Sequence, residues 1–211
     1  MENTQIVIFL LASLAVILTP GQDLVLVLSR GIAHGIKAGI VTAAGVSIGL
    51  MGHTLLAAFG VGALLTTSEL FFSIVKYVGA AYLMYLGVKM LLSKRSDLAL
   101  EETHSKSLKK AFITGALSNI SNPKITIFYL AFLPQFISVN TQNPTLLLFI
   151  LGSTFALLTF IVKVPFGYFA GRSSQWLRSR PKVIHWMDRV SGSVLIALGL
   201  RLAFDSGDFD K

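Results

Sequence analysis

The sequence predicts an all-α, polytopic membrane protein: six transmembrane helices in two inverted three-helix repeats, with helices one and four interrupted. Three observations predict it. Of 211 residues, 54% are hydrophobic and 13% charged, against about 25% charged in an ordinary soluble domain, and the mean hydropathy is +0.72. Six stretches reach the roughly 20 mostly apolar residues that a helical span needs: 5–29, 38–65, 71–92, 111–137, 144–170 and 183–204. Their connections alternate in charge. Connections one, three and five carry Arg30 and Lys37, then Lys94, Arg95, Lys106, Lys109 and Lys110, then Arg172, Arg178, Arg180 and Lys182. The N-terminus, connections two and four, and the tail after Phe204 carry only Lys211. By the positive-inside rule the basic connections face the cytoplasm and both termini lie outside.

The formal charge of +8 would suggest a nucleic-acid partner in a soluble protein, but sorted by connection it reports topology instead. The longest polar connection, 93–110, is too short for a domain of its own, so residues 1–211 read as a single integral membrane domain, with repeat one over about 5–92 and repeat two over about 111–204. Cysteine is absent, which excludes disulfides and thiolate metal sites.

Span one opens with the apolar run Ile6 to Leu18, preceded by no Lys or Arg and continuing past Pro20 into Leu24 to Leu28. It therefore reads as a retained span and not as a cleaved signal. Thr19-Pro20-Gly21-Gln22-Asp23 interrupts it about 22 Å from its outer end, at 1.5 Å per residue. Pro suits the first position of a new helix when a capping residue precedes it; Thr19 is the expected cap, and Gln22 stands where a capping box places its partner. Span two holds His53, which either relays a proton or donates to a backbone carbonyl. Its Leu55 to Leu65 run is apolar at nearly every position, unlike the alternation of a membrane strand. Gly45 and Gly49, Gly60 and Ala63, Gly79 and Gly87, and Gly167 and Gly171 recur at the spacing of close helix contacts.

In span three, Tyr77, Tyr82 and Tyr85 read as helix packing, and Lys76 as a lysine that snorkels to the outer surface. Span four is interrupted by Asn119-Ile120-Ser121-Asn122-Pro123-Lys124, with Asn122 the cap and Pro123 the start of the second half-helix. Span five holds Lys163, expected to snorkel to the cytoplasmic interface, followed by Pro165. Trp176 and Trp186 flank connection five as interfacial anchors.

The two halves echo each other. Thr19-Pro20 recurs as Asn122-Pro123, Gly49 recurs at the same spacing as Gly152, and Leu86-Gly87-Val88-Lys89 of span three returns in span six as Leu198-Gly199-Leu200-Arg201. Since three is odd, a duplicated three-span unit enters the membrane upside down, and connection two accordingly lacks the basic residues of its counterpart, connection five. Inverted repeats with broken helices mark secondary transporters.

Each second half-helix presents unpaired N–H groups and a positive dipole end near the bilayer centre, a setting for a carboxylate that Lys124 would strengthen. Asp23 and Asp188 are the only acids within the six stretches, and Asp188 is near the cytoplasmic end. An acid beside a carboxylate seat suits the ammonium of the same molecule, a zwitterion; the alternatives are that Asp23 and Lys124 neutralise each other or that Asp23 caps its own half-helix. The expected substrate-binding residues are Thr19, Pro20, Gly21, Gln22, Asp23, Asn119, Asn122, Pro123 and Lys124, with Asp23 and His53 as proton-coupling candidates, since intramembrane ionisable groups are functional by default. No metal-ligand spacing, nucleophile elbow, phosphate loop or paired carboxylates occur, so neither an enzyme nor a cofactor is expected.

The run from Thr19-Pro20-Gly21-Gln22-Asp23 to Gly31, with Gly35, Ala38-Gly39, Gly45 to Gly49 and His53, resembles the Pro-Gly-Pro-Asn region of the LysE/RhtB exporters. Asn122-Pro123-Lys124 through Phe132-Leu133-Pro134-Gln135-Phe136 resembles that family's Asn-Pro-Lys and Phe-Leu-Pro-Gln-Phe region, and similarity continues through Ala170-Gly171-Arg172 and Ser191-Gly192 to Gly199. The resemblance implies a bacterial inner-membrane exporter of amino acids or derivatives such as homoserine, threonine or homoserine lactone, driven by protons. Two departures stand out: Gln22 and Asp23 replace the motif's second proline and asparagine, and Lys163 stands where many members carry an acid. A divalent-metal exporter of the same superfamily is the alternative, although such a site wants several oxygen or soft ligands.

Overall fold

The computed structural model describes residues 3–61, 69–92, 106–137, 141–172 and 181–204. Among them every regular element is helical: α1 (Asn3–Leu18), α2 (Gln22–His34), α3 (Ile36–Leu55, prolonged by a π-helical turn Leu56–Val61), α4 (Glu69–Leu91), α5 (Leu108–Ile120), α6 (Pro123–Phe132, followed by a 3-10 turn Leu133–Phe136), α7 (Pro144–Arg172) and α8 (Pro181–Phe204). Lys94, Arg95, Trp176, Arg178, Arg180 and Lys211 lie outside the described residues.

Polarity is turned inside out relative to a water-soluble fold. Leu11, Phe59, Val78, Leu157, Phe169 and Trp186 are exposed, whereas Asp23, His53, Asn119, Asn122 and Lys163 are buried. An exposed apolar coat of that extent is stable in hydrocarbon, where helices satisfy their own backbone groups. Ile36–Gly60 and Pro144–Arg172 are each long and apolar enough to cross a membrane, and Thr4–Leu18 with Gln22–His34 qualifies as a pair bent by 53°. The bend falls at Pro20, as a missing N–H and a ring clash require.

α3 is the central helix, laid along α7 on one side and α5 on the other, while α4 pairs with α8. α2 packs on α3 and α7; α1 reaches α8, and α6 reaches α4. Glycine sets how closely these axes approach, as the spacing predicted for Gly45, Gly49, Gly87, Gly167 and Gly171; Gly60 is a correction, since a Cβ there would meet nothing within 4 Å among the described residues. A Cβ on Gly39 would stand 2.8 Å from Gly167 Cα, and one on Gly87 2.6 Å from the Gly192 carbonyl oxygen. Gly35, at φ 86°, turns the chain between α2 and α3, a backbone state that costs residues with a Cβ. Tyr77 and Tyr85 are a correction: both are more than half exposed on α4, facing outward instead of packing between helices.

Phe9, Phe128, Tyr129, Phe132, Phe136 and Phe155 form the aromatic centre of the main core. Phe128 stacks on Phe132 with centroids 4.7 Å apart, and Phe9 meets Phe136 edge-on at 5.5 Å.

Candidate functional site

The site grows from two prolines. A helical proline leaves the carbonyl four residues earlier without its N–H partner, so Pro20 orphans Val16 and Pro123 orphans Asn119. Each orphan is served from elsewhere in the fold. Lys124 Nζ donates to the Val16 carbonyl at 3.5 Å, and His53 Nε2 lies 3.1 Å from the Asn119 carbonyl, which also accepts Asn122 N–H at 2.9 Å. A carbonyl oxygen only accepts, so His53 donates through Nε2.

Locally the breaks differ. Asn122 caps α6 as predicted: its Oδ1 accepts the Lys124 backbone N–H at 3.1 Å, and Pro123 occupies the first turn. Thr19 does not cap α2. Its hydroxyl donates backward to the Ala15 carbonyl at 2.6 Å, and the capping position falls to Gly21, which offers no side-chain bond. The physical reason is that Pro20 and Gly21 both stay outside the helix, which carries Thr19 too far from the first free N–H groups. Gln22 correspondingly makes no capping box and donates across to Ser118 Oγ at 3.0 Å.

Asp23 enters the core one residue beyond the α2 start and is 4% exposed. Its Oδ2 accepts Asn119 Nδ2 at 2.8 Å and lies 3.5 Å from Lys163 Nζ. Its Oδ1 and the Asn119 Oδ1 are buried with no hydrogen-bond partner. One sequence expectation is corrected here and one alternative is set aside. Lys163 does not snorkel: it is 5% exposed, because a carboxylate inside the bundle offers it more than the distant interface. The partner of Asp23 is Lys163, and Lys124 instead turns to the first break. Lys76 is likewise buried at 8% exposure, its ammonium 5.8 Å from the Tyr77 ring centre.

A cavity of about 320 Å³ opens between the breaks. Of the predicted residues it is lined by Thr19, Gly21, Gln22, Asp23, Asn122 and Lys124. Asn119 stands behind, held on Asp23, with His53 one step further back; Pro20 and Pro123 shape the wall through the helix breaks. Sequence reasoning missed Thr159 and Lys163 of α7 and the apolar lining, which includes Leu24, Leu50, Ile125 and Phe155. The signal for Lys163 is its depth in an apolar span, a pattern equally compatible with a stem reaching outward. Lys124 Nζ also comes within 3.8 Å of where a Cβ on Gly21 would sit, so the ammonium from the second break stands beside the uncapped start of α2. Among the described residues no group of three His, Cys, Asp or Glu is gathered to hold a metal ion.

An apolar coat, helices broken at proline and a charged cavity between the breaks define a multi-pass helical membrane protein with a polar site in its interior. The family described as LysE type translocator matches residues 14–206, and the chain belongs to it. The chain is similar to the leucine efflux protein of Klebsiella pneumoniae subsp. pneumoniae, 34% identical over 197 residues and 92% of each chain. It is similar also to the leucine efflux protein of Enterobacter sp., 33% identical over 201 residues, covering 92% of this chain and 93% of the relative. An uncharacterized membrane protein of Bacillus subtilis, YrhP, is 32% identical over 195 residues, 88% of this chain and 91% of its own. No solved structure matches.

Proposed function

We propose that this chain is a proton-coupled secondary exporter of aliphatic amino acids, leucine foremost, across the bacterial inner membrane. The observation that carries the reading is the cavity between the breaks, with an acid and a cation from different helices and aliphatic walls. The uncapped N–H groups that open α2 and the Lys124 ammonium receive the substrate carboxylate. Asp23 receives the substrate ammonium, for which its partnerless buried Oδ1 supplies an acceptor. Leu24, Leu50 and Ile125 favour a branched aliphatic side chain over the hydroxylated homoserine or threonine that the family resemblance also admits.

Lys163 stands in for the substrate ammonium when the site is empty, so loading displaces it from Asp23. A proton on Asp23 has the same neutralising effect, which makes Asp23 the coupling group and leaves His53 as a fixed donor to Asn119. The two lysines disfavour the divalent-metal alternative, since each repels a cation entering the cavity. Six spans in two inverted repeats, with both termini periplasmic, complete the reading. The heavy α3 with α7 and α4 with α8 pairings support it, because each joins equivalent members of the two repeats.

The test is export of a labelled amino-acid panel from cells making the protein, beside an Asp23→Asn variant. Leucine should leave fastest, and the variant should lose gradient-driven accumulation in inverted vesicles while still exchanging solute. Gradient-driven transport that persists unchanged would exclude Asp23 as the coupling group. Reporters active only in the periplasm should work at both termini; activity of cytoplasmic reporters there would overturn the orientation.

A further inference from the structure

A second cavity, of about 500 Å³, lies between α1, α4, α8 and the turn after α6. We propose that it is a second substrate site on the outer side, which takes the amino acid by its carboxylate on Arg201 before release. The proposal rests on the exporter reading above.

The two cavities share helices. Val16 of α1 and Ile125 of α6 line the central one, Ile8 and Phe132 the second, which sets them about 10–12 Å apart at 1.5 Å per residue. An aromatic partition stands between. Phe9, Phe128 and Phe132 are at most 3% exposed, with Phe128 stacked on Phe132 at 4.7 Å and Phe9 on Phe132 at 6.5 Å.

The lining of the second cavity points to its ligand. Arg201 is the single charged residue among the described ones that line it, joined by Gln5 and Gln135, while Ile8, Leu83 and Phe132 belong to its apolar wall. By the loop charges this end of the bundle faces outward, where Lys and Arg are otherwise sparse, so Arg201 does not serve the cytoplasmic anchoring that explains the basic connections. A guanidinium forks onto a carboxylate through two parallel hydrogen bonds, amides extend that polar rim, and the apolar wall accepts an aliphatic chain. Among the described residues no Asp or Glu lines this cavity. It therefore recognises the carboxylate and the side chain without requiring the ammonium, whereas the central site requires both charges.

That difference sets the experiment: equilibrium binding of radiolabelled leucine to the purified full-length protein in lipid nanodiscs, up to millimolar concentration. The wild type should bind two leucines per chain. Arg201→Met should weaken one of them by about tenfold or more, and Ile8→Trp, which fills the cavity and keeps the arginine, should remove the same one. 4-Methylpentanoate, which is leucine without its amine, should displace only that leucine; Lys124→Met should weaken only the other. One leucine per chain that Lys124→Met weakens, with Arg201→Met and Ile8→Trp without effect, overturns the outer site while the exporter reading stands, and leaves the cavity to a lipid chain. Failure of leucine and of every other amino acid to bind overturns the exporter reading, and this site with it.

Discussion

The two proline breaks start from the same local recipe, a small polar residue followed by proline, and end in opposite states. At the second, Asn122 closes over the Lys124 backbone N–H, so the start of α6 is satisfied from within. At the first, Thr19 turns back to Ala15 and Gly21 leaves the start of α2 without a side-chain cap. The break that is locally complete exports a cation, Lys124, to the Val16 carbonyl of the other. The incomplete one keeps its N–H groups open to the cavity and sends Asp23 to Asn119. One break is thus closed from within, and the other leaves the start of its helix to the cavity.

The largest expected effect lies in the ion pair that only the first break owns. Lys163→Met leaves Asp23 charged and buried without its cation, which should cost about 3–5 kcal/mol of stability, read as a lowered Tm in detergent. Asp23→Asn/Lys163→Met, which removes both charges, should recover most of the loss. An unchanged Tm in the single variant would show that Asp23 and Lys163 are both neutral in the resting protein.

Next comes the cation lent by the second break to the first. Lys124→Met removes a charge-assisted hydrogen bond worth about 1.5–3 kcal/mol, so half-maximal leucine transport should require roughly tenfold to a hundredfold more substrate. Leucine methyl ester, lacking the carboxylate, should lose much less. Equal losses for acid and ester would mean that Lys124 serves only the Val16 carbonyl.

A smaller difference separates the caps themselves. Asn122→Ala should cost about 1 kcal/mol, whereas Thr19→Ala should cost less, because the Ala15 carbonyl still accepts the Thr19 backbone N–H. Comparable Tm shifts for the two variants would restore Thr19 as a cap. The smallest effect is expected at His53. In His53→Gln an amide can still donate to the Asn119 carbonyl, so stability should fall by less than about 1 kcal/mol and gradient-driven accumulation should persist. Loss of accumulation with the fold intact would make His53 a proton relay.

Much of this was legible before any coordinates. Apolar length marked the helices, Pro20 and Pro123 marked where they break, and the isolation of Asp23 marked the site, because each is a property of one short window of chain. Asn122 as a cap was readable for the same reason: its partner, the Lys124 N–H, is two residues away. Thr19 was misread because the identical window leaves open whether the helix resumes at Pro20 or two residues later, and that depends on what α2 packs against.

What tertiary structure alone decided is who answers whom. A proline determines by itself that a carbonyl four residues back loses its partner, but the donors that arrive, Lys124 for Val16 and His53 for Asn119, come from residues 108 and 66 positions away. No local periodicity encodes such a distance. Lys163 shows the same limit from the other side: a lysine in an apolar helix must either reach water or find a carboxylate. Only the packing of α7 against α2 places Asp23 within 3.5 Å and settles the choice.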